Sequence, residues 1–77
     1  MKNKNILITG GAGSLGSYLT KSILNYDVNS IRVLDIDEHA LFKLRRSIND
    51  KRLRVLLGSI LDKERLAQLL KEYQNEN

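Results

Sequence analysis

Hydrophobic residues along the chain fall into two patterns that alternate with each other. Short runs rich in apolar residues predict three strands. The first of them is continuously apolar from Ile6 to Ile8, as expected for a strand buried on both faces of a parallel sheet. Between and after these runs, apolar residues recur three or four positions apart, which is the spacing of an amphipathic helix. The predicted strands cover residues 5–9, 31–34 and 53–57, and the predicted helices cover residues 14–25, 37–48 and the segment after Asp62.

Each predicted helix has an apolar stripe that we expect to face the sheet. Asp37 and Asp62 precede the second and third helices and are suited to cap them, because a carboxylate accepts hydrogen bonds from the first N–H groups of a helix. The stripes are Leu15, Leu19 and Ile23 in the first helix, Leu41, Leu44 and Ile48 in the second, and Leu66, Leu69, Leu70 and Tyr73 in the third.

The order βαβαβα predicts one α/β domain over residues 1–77, a partial Rossmann fold. Right-handed crossovers give a three-stranded parallel sheet of order 3-2-1, with helices 1 and 2 on one face and helix 3 on the other. In a complete doubly wound sheet, strand 1 lies in the interior. Here it becomes an edge rich in Ile and Leu, so we predict that it pairs with a second copy of the chain as a homodimer.

Glycines from the end of the first strand to the first turn of the first helix fit two phosphate-binding spacings. Gly10, Gly13 and Gly16 form G-x-x-G-x-x-G, and Gly11, Gly13 and Gly16 form G-x-G-x-x-G. Gly10 suits the sharp turn, Gly13 admits a pyrophosphate, and Gly16 lets the helix pack closely on the sheet. The helix behind them offers N–H groups without helical partners at its positive end. Asp35 follows Gly16 by 19 residues, close to the separation of about 20 expected for an acid that binds ribose. Together they predict dinucleotide binding; the alternative is that the glycines only close a tight turn.

Composition narrows the classes of function. The 77 residues contain no Cys and a single His, so neither a disulfide framework nor a metal site is expected. No run approaches the roughly 18 apolar residues of a membrane span, so we expect a cytoplasmic protein without a membrane partner. The net charge of +4 comes largely from basic residues between Arg45 and Arg54. These lack an accompanying aromatic motif, so no nucleic acid partner is expected.

Three segments resemble the extended short-chain dehydrogenase/reductase family, and within it the polysaccharide-biosynthesis branch of nucleotide-sugar dehydratases and epimerases. Residues 9–16 read TGGAGSLG and are similar to the glycine turn of that branch. Residues 33–38, VLDIDE, resemble its second strand and the helix start after it. Residues 57–66, LGSILDKERL, resemble the signature that follows its third strand. The resemblance covers nearly the whole chain, but only about the first third of a family member.

The resemblance implies roles for the residues of the glycine turn. Gly10, Gly13 and Gly16 hold the pyrophosphate of a dinucleotide. The backbone N–H groups of Ser14 and Leu15 donate hydrogen bonds to it. The cofactor implied is NAD, of which this chain binds the adenosine-pyrophosphate half.

The resemblance also implies an adenosine pocket. Asp35 accepts hydrogen bonds from the ribose hydroxyls and favours NAD over NADP, because a carboxylate repels a 2′-phosphate. Ile36 flanks the adenine. Ser59 and Ile60 lie at the adenine edge, where the family usually has Asp and a hydrophobic residue. Ser59 departs from that pattern, since its hydroxyl can bond an amino group but carries no charge.

The family's catalytic pair, a Tyr with a Lys four residues later, has no counterpart in this sequence. Tyr18, Tyr26 and Tyr73 are followed at that distance by Ser, Ser and Asn, so no catalytic residue is predicted and the tyrosines are interpreted as packing residues. The sequence thus predicts the NAD-binding N-terminal portion of a nucleotide-sugar dehydratase or epimerase, catalytically incomplete alone. The alternatives are a non-catalytic nucleotide-binding or sensing module, a bare folding unit without ligand, and an S-adenosylmethionine binder.

Overall fold

The computed structural model describes residues 3–59 and 61–76, with residues 72–76 described by their backbone alone. Strands and helices alternate in the predicted order. β1 and β3 have the predicted bounds, β2 is one residue longer at each end, and α1 ends two residues earlier than predicted. The elements are β1 (Asn5–Thr9), α1 (Ser14–Ile23), β2 (Ser30–Asp35), α2 (Glu38–Ser47), β3 (Leu53–Leu57) and α3 (Lys63–Glu76).

The three strands form one parallel sheet of order β1-β2-β3, which confirms the predicted order 3-2-1. Ile31 of β2 pairs with Ile6 of β1 on one side and with Leu53 of β3 on the other. β2 is therefore the central strand, and four of its six residues are buried. Because the strands are parallel, their carboxyl ends meet at one edge of the sheet, and the turn after β1 lies beside the end of β2.

The core lies on the sheet face that carries Ile31 and Val33, both fully buried. One cluster joins these side chains to Ile23 of α1 and to Leu41 and Leu44 of α2. Successive strand residues point to opposite faces, so the buried Arg32 and Leu34 lie on the other side of β2. Their burial favours the prediction that α3 covers that side, which stays a prediction.

α1 turns a different face to the sheet from the one predicted. Leu15 is 81% exposed and Leu19 is 45% exposed, whereas Thr20 and Ile23 are buried. Thr20 tolerates burial because its hydroxyl donates a hydrogen bond to the carbonyl of Gly16, with an O···O distance of 2.8 Å. The predicted stripe is therefore wrong at Leu15 and Leu19, and correct only at Ile23.

The stripe of α2 is confirmed, since Leu41, Leu44 and Ile48 are all buried. In α3, Leu69 is buried and Leu66 half-buried, while Leu70 is 41% exposed, so the stripe there is narrower than predicted.

The interpretation of the tyrosines as packing residues is wrong at two positions. Tyr18 is 72% exposed and Tyr26 is 59% exposed. Tyr18 lies on the surface because α1 faces the sheet through Gly16, Thr20 and Ile23, whereas Tyr26 lies in the loop after α1. The side chain of Tyr73 lies outside the described residues.

Both predicted caps are confirmed. The carboxylate of Asp37 accepts from the N–H of Ala40 at 3.0 Å, so it caps α2. The carboxylate of Asp62 accepts from the N–H of Arg65 at 3.1 Å in the first turn of α3. These bonds satisfy donors that have no partner within the helix.

The guanidinium of Arg52 ties together the amino end of the sheet. It donates to both oxygens of Asp50, at 3.1 and 2.8 Å. It also donates to the carbonyl oxygens of Leu24, Tyr26 and Val28 in the loop after α1, at 2.8, 3.0 and 3.3 Å. We call this set of bonds the Arg52 clasp. It joins the start of β3 to the chain that leads into β2, across more than twenty residues of sequence.

No helix within the described part of the chain combines the length and the apolar character that crossing a membrane requires.

Candidate functional site

The turn between β1 and α1 begins with a left-handed residue. Gly10 has φ = +66°, a conformation that side chains rarely adopt, so glycine is required there by the backbone itself. Its N–H donates to the carbonyl of Leu34 at 2.7 Å, which holds the turn against the end of β2. The predicted role of Gly10 in the sharp turn is thereby confirmed.

Gly13 and Gly16 occupy opposite environments. A Cβ atom at Gly16 would collide with the carbonyl group of Gly11, so α1 contacts the backbone of the turn directly. A Cβ atom at Gly13 would meet nothing within 4 Å. Gly13 is the N-cap of α1 and makes no side-chain cap hydrogen bond. The backbone at the N-terminus of α1 is therefore accessible at Gly13. At Gly16 the helix packs directly against the backbone of the turn.

Asp35 links the glycine turn to the end of β2. One carboxylate oxygen accepts from the N–H of Ala12 at 3.1 Å, and the other accepts from the N–H of Asp37 at 3.0 Å. These hydrogen bonds, that of Asp37 foremost and then that of Ala12, hold the pKa of the Asp35 carboxyl below its usual value. The carboxylate is thus charged and fixed in position, and an ionised carboxylate has about four acceptor sites in all.

A cavity of about 360 Å³ opens between the carboxyl ends of the three strands. It brings together four of the predicted site residues at the ends of the three strands. They are Gly10 after β1, Asp35 at the end of β2 with Ile36 after it, and Ser59 after β3. Three of the residues predicted to contact adenosine thus line one cavity, and their contacts with adenosine stay a prediction. The predicted contact at Ile60 lies outside the described residues.

The remaining predicted residues lie at the N-terminus of α1. Gly13 and Ser14 line a separate groove of about 360 Å³ between α1 and α2, which also contains Lys21 and Lys43. Leu15 lies in the first turn of α1, where its N–H has no helical partner, and its side chain points outward. The bond from Ala12 to Asp35 runs between this groove and the cavity at the strand ends.

Two contributors were missed by the sequence analysis. Ala12 supplies the N–H that positions Asp35, and its only signal is that a small residue stands between Gly11 and Gly13. Leu61 lines the cavity and is 84% exposed. Its N–H donates to the hydroxyl of Ser59 at 3.0 Å, so the Ser59 side chain shapes this turn.

A parallel sheet with a glycine-rich first turn and an acid at the end of the second strand defines a Rossmann-type α/β protein. Comparison with known proteins makes this more specific. The family model described as polysaccharide biosynthesis protein matches residues 6–77, and the chain belongs to that family.

Curated relatives share this sequence closely. The chain is 44% identical over 71 residues to an uncharacterized membrane protein of Methanocaldococcus jannaschii, covering 92% of this chain and 21% of that protein. It is 41% identical over 70 residues to an inverting UDP-N-acetylglucosamine 4,6-dehydratase of Campylobacter jejuni, covering 90% and 21%. The chain therefore spans about a fifth of the length of these relatives.

Solved structures confirm the fold. A dTDP-glucose 4,6-dehydratase of Bacillus anthracis, determined in complex with NAD, matches with a TM-score of 0.78 and 28% identity over 92% of this chain and 24% of its own. The enzyme WbmF of Bordetella bronchiseptica, in complex with NAD⁺ and UDP, matches with a TM-score of 0.68 and 30% identity over 86% and 19%. Both similarities cover the greater part of this chain and about a quarter or less of the matched protein.

Proposed function

We propose that this chain binds the adenosine-pyrophosphate half of NAD and forms the dinucleotide-binding part of an oxidoreductase that acts on nucleotide sugars. The observation that carries the proposal is the carboxylate of Asp35, fixed by the N–H groups of Ala12 and Asp37 at the mouth of the cavity. The similarity to enzymes determined with NAD supports the choice of cofactor.

The adenosine end of NAD is proposed to occupy the cavity between the strand ends. Asp35 keeps acceptor sites for two ribose hydroxyls beside the N–H groups that already hold it. Because hydrogen bonds hold the pKa of Asp35 low, the group stays negative and repels the 2′-phosphate of NADP. Ile36 and Ser59 line the same cavity and are proposed to contact the adenine. The same role is proposed for Ile60 from the family resemblance.

The pyrophosphate is proposed to approach the N-terminus of α1 at Gly13. Nothing lies within 4 Å of the position that a side chain would occupy there, so the main chain can be approached closely. The N–H groups of Ser14 and Leu15 belong to the first turn of α1 and donate to the pyrophosphate oxygens, helped by the positive end of the helix dipole. Gly10 and Gly16 shape the turn rather than touch the ligand.

In the whole protein, the reaction is proposed to begin with hydride transfer from a sugar carbon to NAD. None of the three tyrosines is followed four residues later by a Lys. These 77 residues therefore position the cofactor, and we expect no turnover from them alone. The nicotinamide and sugar sites are assigned to other parts of the protein.

Calorimetric titration with NAD, NADP and AMP tests the proposal. Gly13→Val fills the open position with a bulky side chain, and we expect NAD affinity to fall at least about tenfold, or 1.4 kcal/mol. The thermal unfolding midpoint should stay near that of the wild type, since nothing lies near that position. Asp35→Ala should bring the affinities for NAD and NADP closer together.

Asp37→Asn is the matched control for Asp35, because Asp37 is a neighbouring exposed acid that does not line the cavity. It should leave the preference for NAD unchanged. Equal NAD affinity in wild type and Gly13→Val would show that the turn is not the site. Absence of any binding by the folded wild type would favour the bare folding unit.

A further inference from the structure

The parts of the candidate site follow one another along the carboxyl edge of the sheet. The N-terminus of α1 comes after β1, Asp35 ends the central strand β2, and Ser59 comes after β3. Neighbouring strands lie about 4.8 Å apart, so the β1 and β3 sides of the cavity are separated by roughly 10 Å. With a pyrophosphate at α1 and a ribose at Asp35, the base that continues in the same direction reaches the β3 side and meets Ser59.

The β3 side of the cavity is apolar except at Ser59. Its lining there consists of Gly58, Ser59 and Leu61, with Leu34 and Ile36 beside them. Ile36 is 72% exposed and Leu61 is 84% exposed, so both offer apolar surface to the faces of a planar ring. In such pockets a few polar groups determine which ligand is bound. Among the side chains of these lining residues, that group is the hydroxyl of Ser59.

The Ser59 hydroxyl is fixed at one of its lone pairs. Its oxygen accepts a hydrogen bond from the N–H of Leu61 at 3.0 Å. The N–H of Gly58 donates to the carbonyl of Asp35 at 2.9 Å, which anchors the backbone of this turn to β2. A hydroxyl has one O–H donor and two lone pairs. One donor and one lone pair therefore remain, and no acceptor for the O–H is present among the described residues.

A hydroxyl held in this way can bind partners of either polarity. Rotation about the C–O bond of Ser59 exchanges the hydrogen with the remaining lone pair, while the bond from Leu61 stays in place. An amino group at carbon 6 of a purine is a donor, whereas a keto oxygen at the same position is an acceptor. An ionised carboxylate is an acceptor only. It would bind the amino group and repel the keto oxygen, and the hydroxyl of Ser59 does not make this distinction.

We propose that Ser59 leaves the base pocket tolerant at carbon 6 of the purine, so that the chain binds dinucleotides of both adenine and hypoxanthine. The inference rests on the proposed binding of NAD and adds to it the class of base that is accepted. The free lone pair of Ser59 accepts from the amino group of adenine, and its O–H donates to the keto oxygen of hypoxanthine. Ile36 and Leu61 contact the faces of the ring and do not select the group at carbon 6.

Calorimetric titration with NAD and with nicotinamide hypoxanthine dinucleotide tests the inference. The measured quantity is the dissociation constant of the hypoxanthine dinucleotide divided by that of NAD, and we expect a wild-type ratio below about ten. Ser59→Asp keeps an acceptor for the N–H of Leu61 but removes the donor, so the ratio should rise at least about tenfold above the wild type. Hypoxanthine also carries a hydrogen on N1, and this difference is common to all variants and cancels when their ratios are compared.

Two controls separate the donor from shape and charge. Ser59→Asn has the shape of the Asp variant and retains a donor, so its ratio should stay at or below that of the wild type. Gln68→Glu adds the same negative charge on the exposed surface of α3, outside the lining of the cavity, and should leave the ratio unchanged. Circular dichroism checks that each variant is folded.

The outcomes distinguish this inference from the proposed function. Equal ratios in the wild type and Ser59→Asp, with NAD still bound, would overturn the role of Ser59 and leave the proposed binding of NAD intact. A wild type that prefers NAD by more than about tenfold would do the same, even if a variant fails to fold. Failure of the folded wild type to bind either dinucleotide would overturn both proposals.

Discussion

At the scale of single residues, the three glycines of the motif have different structural roles. Gly10 is required by its left-handed backbone, Gly16 by contact with Gly11, and Gly13 by neither. The sequence motif treats the three glycines alike, and only the packing separates them. Their substitution should therefore separate effects on folding from effects on binding.

Gly16→Ala should destabilise the fold by about 2 kcal/mol or more, because its Cβ meets backbone that cannot move aside. Gly13→Ala places the same methyl group in open space at an extended backbone position, and should change the stability by less than about 0.5 kcal/mol. Urea unfolding followed by circular dichroism compares the two. Equal destabilisation by both would contradict the assigned contacts.

Asp50 gives the stability a defined dependence on pH. Its hydrogen bonds from the side chain and N–H of Arg52 lower the pKa of Asp50 from 3.8 to about 2. The carboxylate thus stabilises the fold fully above the unfolded value of 3.8, and this contribution is lost as the pH falls toward 2. Asp50→Asn should cost about 1 kcal/mol at neutral pH and flatten this acid dependence.

Urea midpoints measured between about pH 6 and pH 2 test the assignment of Asp50. The pKa of Asp35 is also held low, so Asp50→Asn should keep part of the acid slope. The double variant with Asp35→Asn should lose more of it. A slope in Asp50→Asn equal to that of the wild type would exclude Asp50 as a source.

At the scale of elements, the strands could be predicted from the sequence and the orientation of α1 could not. β1 and β3 have the predicted bounds because strand-forming apolar residues lie close together in both segments, which is a local property of the sequence. The face of α1 depends on Thr20, which is buried through its own hydrogen bond to Gly16. Leu15 and Leu19 follow the helical period and still lie outside the core, since periodicity alone does not reveal which neighbouring row meets the sheet.

The cap of α2 provides a test at this scale. Asp37→Ala removes the acceptor of the Ala40 N–H and should lower the stability by about 1 kcal/mol. Asp37→Asn keeps an oxygen at the same position and should be nearly neutral. Thermal unfolding of both variants, at fixed pH and protein concentration, gives the comparison. If the two variants lose stability equally, the hydrogen bond is not the source of the effect.

At the scale of the whole molecule, the two ends of the sheet differ. Side-chain hydrogen bonds join the loops at the amino end, and the cavity lies at the carboxyl end. The Arg52 clasp joins the loops at the amino end, and the side chain of Asn5 accepts there from Asn29 at 2.6 Å and Ser30 at 2.8 Å. The candidate site lies at the carboxyl end. The location of the candidate site could be predicted from the sequence, because the glycines and Asp35 lie close to the ends of the predicted strands. The clasp links Arg52 to residues more than twenty positions away, and no local pattern indicates it.

Ligand binding should raise the free energy of unfolding of the whole chain. A ligand that binds the folded chain alone stabilises it by mass action, about 1.4 kcal/mol at ten times the dissociation constant. For a domain of this size the unfolding midpoint should then rise by roughly 5 to 10 °C. NAD should give this shift in differential scanning fluorimetry, and at the same concentration Gly13→Val should reduce the stabilisation to about 0.4 kcal/mol or less. A shift of equal size in Gly13→Val would place the ligand elsewhere.

The separation of the clasp from the candidate site has a consequence for how such a protein can diversify. Exchanges at Ser59 or Ile36 alter the rim of the cavity, while the bonds of Arg52 at the far end stay intact. Ligand preference can therefore drift between descendants with little loss of folding stability, because the two properties depend on different ends of the same strands. Ser59 is such a rim position, and its hydroxyl accepts a hydrogen bond from the N–H of Leu61 at 3.0 Å.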